Sequence, residues 1–240
     1  MAAVRFQDGT KRDDSAVVAV LGATWPLLLD FDGPVTPMFV GGRNLMVSDL
    51  MRAQIPKGIA VPVEINATVD PLAVLRWCTR YAPADVAAAV EAAGARGELR
   101  AVAESALTPG AGELLAACRV VGRPVAIVSN NAIEAIEAFL DRHGLRTSVD
   151  HIAARIPGHA ELMKPHPDSL IRAITALDAE PERCALVGDA VTDVQASKSI
   201  GVRAIGFAKT QRRGLELAQA GAEAIVDSIG ALAATIRRIP

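Results

Sequence analysis

The stretch Leu27-Leu28-Leu29-Asp30-Phe31-Asp32-Gly33 decides the fold, because an apolar run ends in two carboxylates one residue apart and then a glycine. Side chains alternate along a strand, so Asp30 and Asp32 would lie on the same side of it. Gly33 would let the chain turn at once and let a ligand approach the backbone. Since two adjacent carboxylates repel each other, the pattern predicts a buried strand that delivers acids, and a cation with them, to the carboxyl edge of a sheet.

The composition bounds the class of protein. A chain of 240 residues suits one domain, or a core domain with a small insert. Its 51% hydrophobic content can build a proper core from alanine-rich helices and Val/Ile/Leu strands. A formal net charge of −2 gives no basic field for nucleic acid, and no apolar run approaches the roughly 18 residues of a membrane span. We therefore expect no nucleic acid and no membrane among its partners.

The three cysteines, Cys78, Cys118 and Cys184, are far apart in the sequence, and none belongs to a Cys-x-x-Cys pair. They are predicted to be buried thiols rather than disulfide partners or metal ligands. Because such thiols are typical of a reducing compartment, we expect a cytoplasmic protein.

The N-terminus faintly resembles a secretory signal, because Lys11 and Arg12 precede an apolar patch at residues 16–22. Asp13 and Asp14 interrupt that pattern, however. We expect a flexible leader over residues 1–15 instead.

The segment that follows the first strand is mostly helical in pattern. Helices are predicted over residues 45–54, 69–81, 83–94 and 98–107, and residues 59–65 fit a short extended segment. No part of this segment has the pattern of a parallel-sheet strand. We therefore expect a helical insert over residues 36–107.

From residue 108 onwards, apolar strands and helices alternate, which predicts an α/β fold with a doubly wound parallel sheet. Strands are predicted at 124–129, 149–154, 184–188, 202–207 and 224–226. Helices are predicted at 111–121, 132–143, 168–177, 192–199, 215–220 and beyond residue 226. The predicted core comprises residues 16–35 and 108–240.

Four polar signals fall at the carboxyl ends of successive predicted strands, the edge where open parallel sheets bind ligands. They are Asp30-Phe31-Asp32-Gly33, Ser129-Asn130-Asn131, Lys164-Pro165, and Gly188-Asp189 followed by Asp193. The second signal precedes a helix N-terminus, whose free backbone N–H groups can bind an anion.

Each signal alone has an ordinary structural explanation. Ser129 would be a helix cap and Lys164 a solvated lysine. Asp189 and Asp193 would be acids of a turn and of a first helical turn. Their order and their common place at strand ends indicate instead that they form one site.

This set of motifs, in this order, resembles the haloacid dehalogenase superfamily, most of whose members are phosphatases. The resemblance covers about residues 27–207, and the insert at 36–107 resembles the helical cap of that family. It implies a Rossmann-like core with a small α-helical cap domain.

The resemblance implies catalytic roles for the two aspartates of the first motif. Asp30 matches the nucleophile, which would attack phosphorus and form an aspartyl-phosphate. Asp32 matches the general acid and base, which would protonate the leaving oxygen and then activate water. The dehalogenases and the phosphonate-cleaving branch of the family lack this second aspartate, so the match favours a phosphate-ester enzyme.

The other motifs match a Mg²⁺ site and a phosphoryl site. Asp189 would share the ion with the carboxylate of Asp30 and the backbone carbonyl of Asp32. Asp193 would hold a metal-bound water or orient Lys164. The remaining implied roles are phosphoryl binding by the Ser129 hydroxyl and the Asn130 N–H, charge neutralisation by Lys164, and support by Gly33 and Gly188.

Two departures from the family pattern leave the substrate open. Pro34-Val35 replaces the common Thr-Leu pair, so the turn is stiffer and one hydroxyl is lost. Ala190 stands where many relatives carry serine or asparagine. Neither change removes a catalytic group.

The sequence predicts a Mg²⁺-dependent phosphatase for a small-molecule phosphate monoester, and it leaves alternatives. A phosphomutase of the β-phosphoglucomutase type would use the same motifs. A non-catalytic phosphoryl-binding module would have a damaged nucleophile or acid, whereas both aspartates are intact. A dinucleotide-binding oxidoreductase would need a Gly-x-Gly-x-x-Gly turn, which is absent after the first strand. The oligomeric state is not predicted.

The other polar residues carry weaker expectations. The four histidines are expected to be structural or exposed, with His166 nearest the site, and Trp77 is expected in the core of the insert. Four cations of the insert are candidates to reach a charged substrate, although each would be solvated by default: Arg43, Arg52, Lys57 and Arg76.

Overall fold

Six parallel strands form one sheet in the order β3-β2-β1-β4-β5-β6. This architecture comes from a computed structural model, which describes residues 15–239. The strands are β1 Leu27–Leu29, β2 Val125–Val128, β3 His151–Ala153, β4 Ala185–Gly188, β5 Arg203–Phe207 and β6 Ala224–Val226. The strand order reverses direction between β1 and β4, and ligands of open α/β sheets bind at such a switch point. The predicted doubly wound parallel sheet is confirmed.

Eleven α-helices accompany the sheet in the described residues. They are α1 Ser15–Ala23, α2 Arg43–Arg52, α3 Val63–Ala67, α4 Pro71–Tyr81, α5 Ala84–Ala103, α6 Ala111–Val121, α7 Ile133–Arg142, α8 Asp168–Ala176, α9 Val191–Ser199, α10 Gln211–Ala220 and α11 Ile229–Ile236. None of the helices in residues 15–239 is long and apolar enough to cross a membrane.

The sheet is buried on both faces, as the uninterrupted apolar character of β1 predicts. Leu27 and Leu29 belong to a large core cluster with side chains of α1, α6, α7 and α11. Leu28, which alternation sends to the other face, packs with side chains of α8 and α9. The alternation that the sequence predicted therefore sets which helices cover each face.

Helices α2, α4 and α5 build a separate apolar cluster that includes Val47, Val74 and Val90. Trp77 packs against this cluster, as expected. The C-terminal end of α5 packs elsewhere, because Ala101 and Val102 belong to the large core cluster that includes Leu27 and Leu29. Helix α5 thus packs against both parts of the molecule, and the division into cap and core remains a prediction.

The prediction of two helices at 83–94 and 98–107 is wrong, because α5 is one continuous helix. Glycines in this region suggested a break, but they permit close packing instead. A Cβ built on Gly94 would lie 3.2 Å from the sulfur of Met51, and one on Gly97 would lie 3.0 Å from Val47. These two glycines let α5 approach α2, and that packing outweighs their weak helix propensity.

Two smaller expectations also differ from the structure. Residues 59–65 are not an extended segment, since helix α3 begins at Val63. The apolar patch at 16–22 forms helix α1, which begins at Ser15. The rest of the predicted leader, residues 1–14, lies outside the described residues.

The three cysteines are buried free thiols, as predicted. Burial raises the pKa of Cys78 to about 11. The compartment that we inferred from them remains a prediction.

Candidate active site

The register of the central strands brings three of the four motifs to the same level. Leu29 of β1 pairs with Ile127 of β2 on one side and with Val187 of β4 on the other. The residues that follow these strands therefore emerge together at the carboxyl edge of the sheet.

Lys164 brings the remaining motif to this edge. Its Nζ lies 2.8 Å from Asp30 Oδ1 and 2.6 Å from Asp193 Oδ1, and it donates a hydrogen bond to the carbonyl of Val128. The side chain is only 2% exposed, so the solvated surface lysine of the ordinary explanation is ruled out. Burial acts to lower the pKa of Lys164, but the carboxylates of Asp193 and Asp30 outweigh it and raise that pKa.

The acids of the site are crowded and partly desolvated. Burial, with the charges of Asp193 and Asp189, raises the pKa of Asp30 to about 7, although Lys164 opposes the shift. Burial, with the charges of Asp193 and Asp32, raises the pKa of Asp189 to about 7. The positive charge of Lys164 therefore does not fully compensate these carboxylates, as the sequence pattern suggested.

Carboxylate oxygens of Asp30, Asp189 and Asp193 lie within 4.8 Å of one another. Mg²⁺ prefers oxygen ligands, and crowded, buried carboxylates are the groups that a cation would stabilise. The three residues therefore fit a divalent hard cation. The sequence predicted Asp30 and Asp189 in this role; Asp193, predicted as a supporting residue, also belongs to the group.

The two supporting glycines leave the space that the acids occupy. A Cβ built on Gly33 would lie 2.4 Å from Asp189 Oδ2, and Gly33 has a φ of 102°. A Cβ on Gly188 would lie 2.4 Å from Asp193 Oδ2. A larger residue at either position would therefore have to displace the neighbouring carboxylate.

Asp32 is oriented by the turn that follows it. Its Oδ1 accepts a hydrogen bond from the Met38 N–H at 2.7 Å. The turn is fastened by Thr108, whose hydroxyl donates to the carbonyl of Gly33 at 2.6 Å. Burial, followed by the charge of Asp30, raises the pKa of Asp32 to about 6. Its carboxylate is outside the group of three, and the predicted contribution of its backbone carbonyl to a metal remains a prediction.

Residues 129–132 join β2 to α7, and we call them the phosphate loop because Ser129 and Asn130 are predicted to bind the phosphoryl group. The Ser129 hydroxyl donates to Asn131 Oδ1 and accepts from the Asn131 N–H at 3.1 Å. The Ala132 N–H donates to Glu98 Oε2 at 2.6 Å. The N–H groups of Asn131 and Ala132, which precede α7, therefore have partners within the protein. The binding of an anion by free N–H groups at the start of α7 stays a prediction.

Asn130 connects this loop to Lys164. Its side-chain oxygen accepts from the Lys164 N–H at 2.8 Å, and its side-chain nitrogen donates to the Lys164 carbonyl at 3.2 Å. The segment that carries the buried lysine is therefore held in register with the end of β2.

A cavity of about 470 Å³ opens over these residues, between the sheet edge and the helical insert. Predicted residues on its wall are Asp30, Asp32, Asn130, Lys164, Asp189 and Asp193. The insert adds Phe39, Asn44, Val69, Asp70, Pro71 and Leu72, and the core adds Asn131, Ala190, Thr192 and Arg213. Sequence reasoning missed Arg213, since nothing in its local pattern distinguishes it from a solvated helix residue.

Three of the candidate cations in the insert engage backbone carbonyls instead of lining this cavity. Arg43 donates to Met38, and Arg52 donates to Thr68. Arg76 donates to the carbonyl of Lys164 at 2.9 Å. His166 lines a neighbouring groove and is exposed, as expected.

Comparison with known proteins gives relatives of this chain. CbbY of Cereibacter sphaeroides is 31% identical over 137 residues, which are 56% of this chain and 58% of that protein. A phosphoglycolate phosphatase of Nitrosococcus oceani is 26% identical over 126 residues, 52% of this chain and 55% of that protein. The chain thus spans little more than half the length of these curated relatives.

The fold has solved counterparts. The structure of CbbY from Rhodobacter sphaeroides in complex with phosphate superposes with a TM-score of 0.66 at 23% identity, covering 87% of this chain and 96% of that one. At that identity, the likeness shows the fold alone.

The family itself is shown by a sequence model that matches residues 43–201 and is described as haloacid dehalogenase-like hydrolase. The match begins after Asp30 and Asp32, and its range includes Ser129, Lys164 and Asp189. It covers well over half of the chain, so the resemblance read from the motifs is confirmed. This protein belongs to the haloacid dehalogenase-like hydrolase family.

Proposed function

We propose that this protein is a Mg²⁺-dependent phosphatase, which hydrolyses a small-molecule phosphate monoester through an aspartyl-phosphate on Asp30. The observation that carries the proposal is the buried Lys164 ammonium, which contacts Asp30 at 2.8 Å and Asp193 at 2.6 Å beneath an open cavity. A nucleophilic carboxylate beside a fixed cation suits attack on an anionic phosphoryl group.

In the first step, Asp30 attacks phosphorus, and the bond from phosphorus to the leaving oxygen breaks. The Lys164 ammonium and the Phe31 N–H both contact Asp30 Oδ1, so the carboxylate is oriented before the substrate arrives. Mg²⁺ held by Asp30 and Asp189 would favour the ionised carboxylates and offset charge on the phosphoryl oxygens.

Asp32 moves the proton in both steps. It gives its proton to the leaving oxygen, then takes one from the water that attacks the aspartyl-phosphate, which releases inorganic phosphate and restores Asp30. Its pKa, raised to about 6, suits a group that must donate and then accept near neutral pH.

The phosphate loop and Lys164 hold the phosphoryl group. The Ser129 hydroxyl would exchange its contact with Asn131 for a phosphoryl oxygen, and the Asn130 N–H would bind another. Lys164 neutralises charge on the group during transfer.

The size and setting of the cavity support a small substrate. Its volume of about 470 Å³ accommodates a metabolite, and its wall combines the sheet edge with residues of the insert at 36–107. We propose that this insert is a cap that excludes water from the site and opens to release product. Relatives named as phosphoglycolate phosphatase also support a small phosphate ester.

The test is release of inorganic phosphate from a panel of metabolite phosphates, with and without Mg²⁺, for the wild type, Asp30→Asn and Asp32→Asn. We expect release that needs Mg²⁺ and falls by about a thousandfold or more in Asp30→Asn. Asp85→Asn, an exposed aspartate at the start of α5, is the control that should retain activity.

Other outcomes point to the alternatives. A sugar bisphosphate that accumulates during turnover would identify a phosphomutase. Binding of phosphate esters without turnover, in folded and Mg²⁺-saturated protein, would identify a binding module. Either result would reject the phosphatase proposal.

A further inference from the structure

Glu98 is a buried acid of the helical insert that touches the phosphate loop. It lies on α5 and is only 1% exposed. Its Oε2 accepts from the Ala132 N–H at 2.6 Å, and its Oε1 pairs with the Arg155 guanidinium at 3.0 Å. A buried carboxylate is costly unless each oxygen has such a partner.

Arg155 approaches the same loop from the end of β3. Its guanidinium donates to the Asn130 carbonyl at 2.7 Å, and its backbone N–H donates to the Asn131 carbonyl at 3.0 Å. A second ion pair joins it to Glu91 of α5 at 2.6 Å. Burial acts to lower the pKa of Arg155, but Glu98 and Glu91 outweigh it and raise that pKa, so the cation persists.

Together these contacts fix two successive peptide groups of the loop, because the carbonyl and the N–H of each are hydrogen-bonded. In the peptide group between Asn130 and Asn131, the carbonyl accepts a hydrogen bond from the Arg155 guanidinium, and the N–H donates one to the Ser129 hydroxyl. In the peptide group between Asn131 and Ala132, the carbonyl accepts a hydrogen bond from the Arg155 backbone N–H, and the N–H donates one to the Glu98 carboxylate. The preceding N–H, that of Asn130, has no hydrogen-bond partner within residues 15–239.

We propose that Glu98 and Arg155 are positioning residues, which hold the phosphate loop so that the Ser129 hydroxyl and the Asn130 N–H meet the phosphoryl oxygens. The inference rests on the proposed function. It also gives a role to the two acids that α5 supplies to Arg155. Through these ion pairs, phosphoryl binding by the loop would depend on the position of α5. Neither residue needs to touch the substrate.

The test compares Glu98→Gln with the wild type by two measurements, the dissociation constant of inorganic phosphate and the kcat and KM of phosphate release. The amide keeps the volume but cannot serve both Arg155 and Ala132 as the carboxylate does. We expect phosphate binding and kcat/KM to weaken by about tenfold, because small displacements of positioning groups are costly. Glu223→Gln breaks a glutamate–arginine pair outside the site and should stay within about twofold of wild type.

A folded Glu98→Gln that binds phosphate within twofold of wild type would overturn the inference. If that variant does not fold, Arg155→Lys is judged by the same criterion, because a lysine cannot reach the loop carbonyl and both glutamates together.

The two proposals fail differently. A wild type that binds phosphate but hydrolyses nothing rejects the phosphatase, and the phosphate dissociation constants still decide the role of Glu98. A wild type that does not bind phosphate rejects both.

Discussion

The Nζ of Lys164 lies 2.6 Å from Oδ1 of Asp193, and both side chains are only 2% exposed. The same ammonium contacts Asp30 at 2.8 Å. One buried cation therefore balances two buried carboxylates, and the site cannot lose it without leaving charge unpaired.

Replacement of this cation should abolish activity and destabilise the fold. In Lys164→Met, the unpaired carboxylates of Asp30 and Asp193 should lower the free energy of unfolding by about 3–5 kcal/mol at neutral pH. Urea denaturation without metal measures this loss, and phosphate release should fall by at least about a hundredfold. Lys198→Met removes an exposed lysine from α9 and should change neither quantity appreciably. Equal stability of the two variants would contradict the prediction.

Because Gly33 lies close to Asp189, a substitution at Gly33 should weaken Mg²⁺ binding. A Cβ at Gly33 would lie 2.4 Å from Asp189 Oδ2, so Gly33→Ala must displace that carboxylate. We expect the Mg²⁺ concentration for half-maximal phosphate release to rise by about tenfold or more.

The control for this variant is Gly41→Ala. Gly41 also has a positive φ, 68°, but its Cβ would meet nothing within 4 Å. Both variants should lose about 1–2 kcal/mol of stability through the left-handed backbone, whereas only Gly33→Ala should lose Mg²⁺ affinity. The same Mg²⁺ requirement in both variants would show that Asp189 is not displaced from a metal.

The local parts of the site were predictable from the sequence because they depend on strand alternation and turn chemistry. Leu28 and its neighbours separate onto opposite faces of the sheet, and this alternation leaves Asp30 and Asp32 at the strand end. Parallel pairing then brings the ends of β2 and β4 beside β1, so motifs about 100 and 160 residues later in the chain converge.

The parts that were not predicted depend on contacts between distant elements. Glu98 meets Arg155, 57 residues away, and neither residue stands in a recognisable motif. The same holds for the continuity of α5, which depends on the packing of Gly94 and Gly97 against α2 rather than on helix propensity. A single sequence contains no signal for such pairs, because each residue is ordinary in its local context.

The raised pKa values of the site predict how metal-free stability depends on pH. The pKa of Asp30 and that of Asp189 rise from 3.8 to about 7 on folding, mainly through burial. The stability that these two groups contribute to the metal-free fold is fully present below about pH 4 and is lost as the pH rises through about 7. The reason is that the folded state keeps protons that the unfolded state has released. Thermal unfolding from pH 4.5 to 8 should show this loss.

Under the proposed function, Mg²⁺ should reverse the trend, because a bound ion would stabilise the ionised carboxylates of the folded state. Its stabilising effect should therefore grow as the pH rises towards 8. Asp189→Asn removes one of the shifted groups and should reduce both the metal-free loss and the Mg²⁺ effect. A metal-free loss of the same size in this variant and in the wild type would contradict the assignment to Asp189.

The negative charge of Asp70 predicts that the site disfavours substrates that carry a second anionic group. It brings a negative charge to the wall that the insert contributes, beside the apolar side chains of Val69 and Leu72. A substrate with a second anion, such as phosphoglycolate, would meet repulsion there that a neutral polyol phosphate would not. Asp70→Asn should raise kcat/KM for phosphoglycolate relative to glycerol phosphate by about twofold to fivefold, since the charge is exposed and screened.

Asn suits this test because Asp70 also caps α4, where its Oδ1 accepts from the Leu72 N–H at 2.9 Å, and asparagine caps a helix as well as aspartate does. The variant therefore removes the charge and keeps the fold. Asp85→Asn, in the exposed first turn of α5, removes the same charge away from the cavity and should leave the substrate ratio unchanged. If Asp70→Asn leaves the ratio unchanged as well, or lowers it, the insert does not select substrates by repulsion at Asp70.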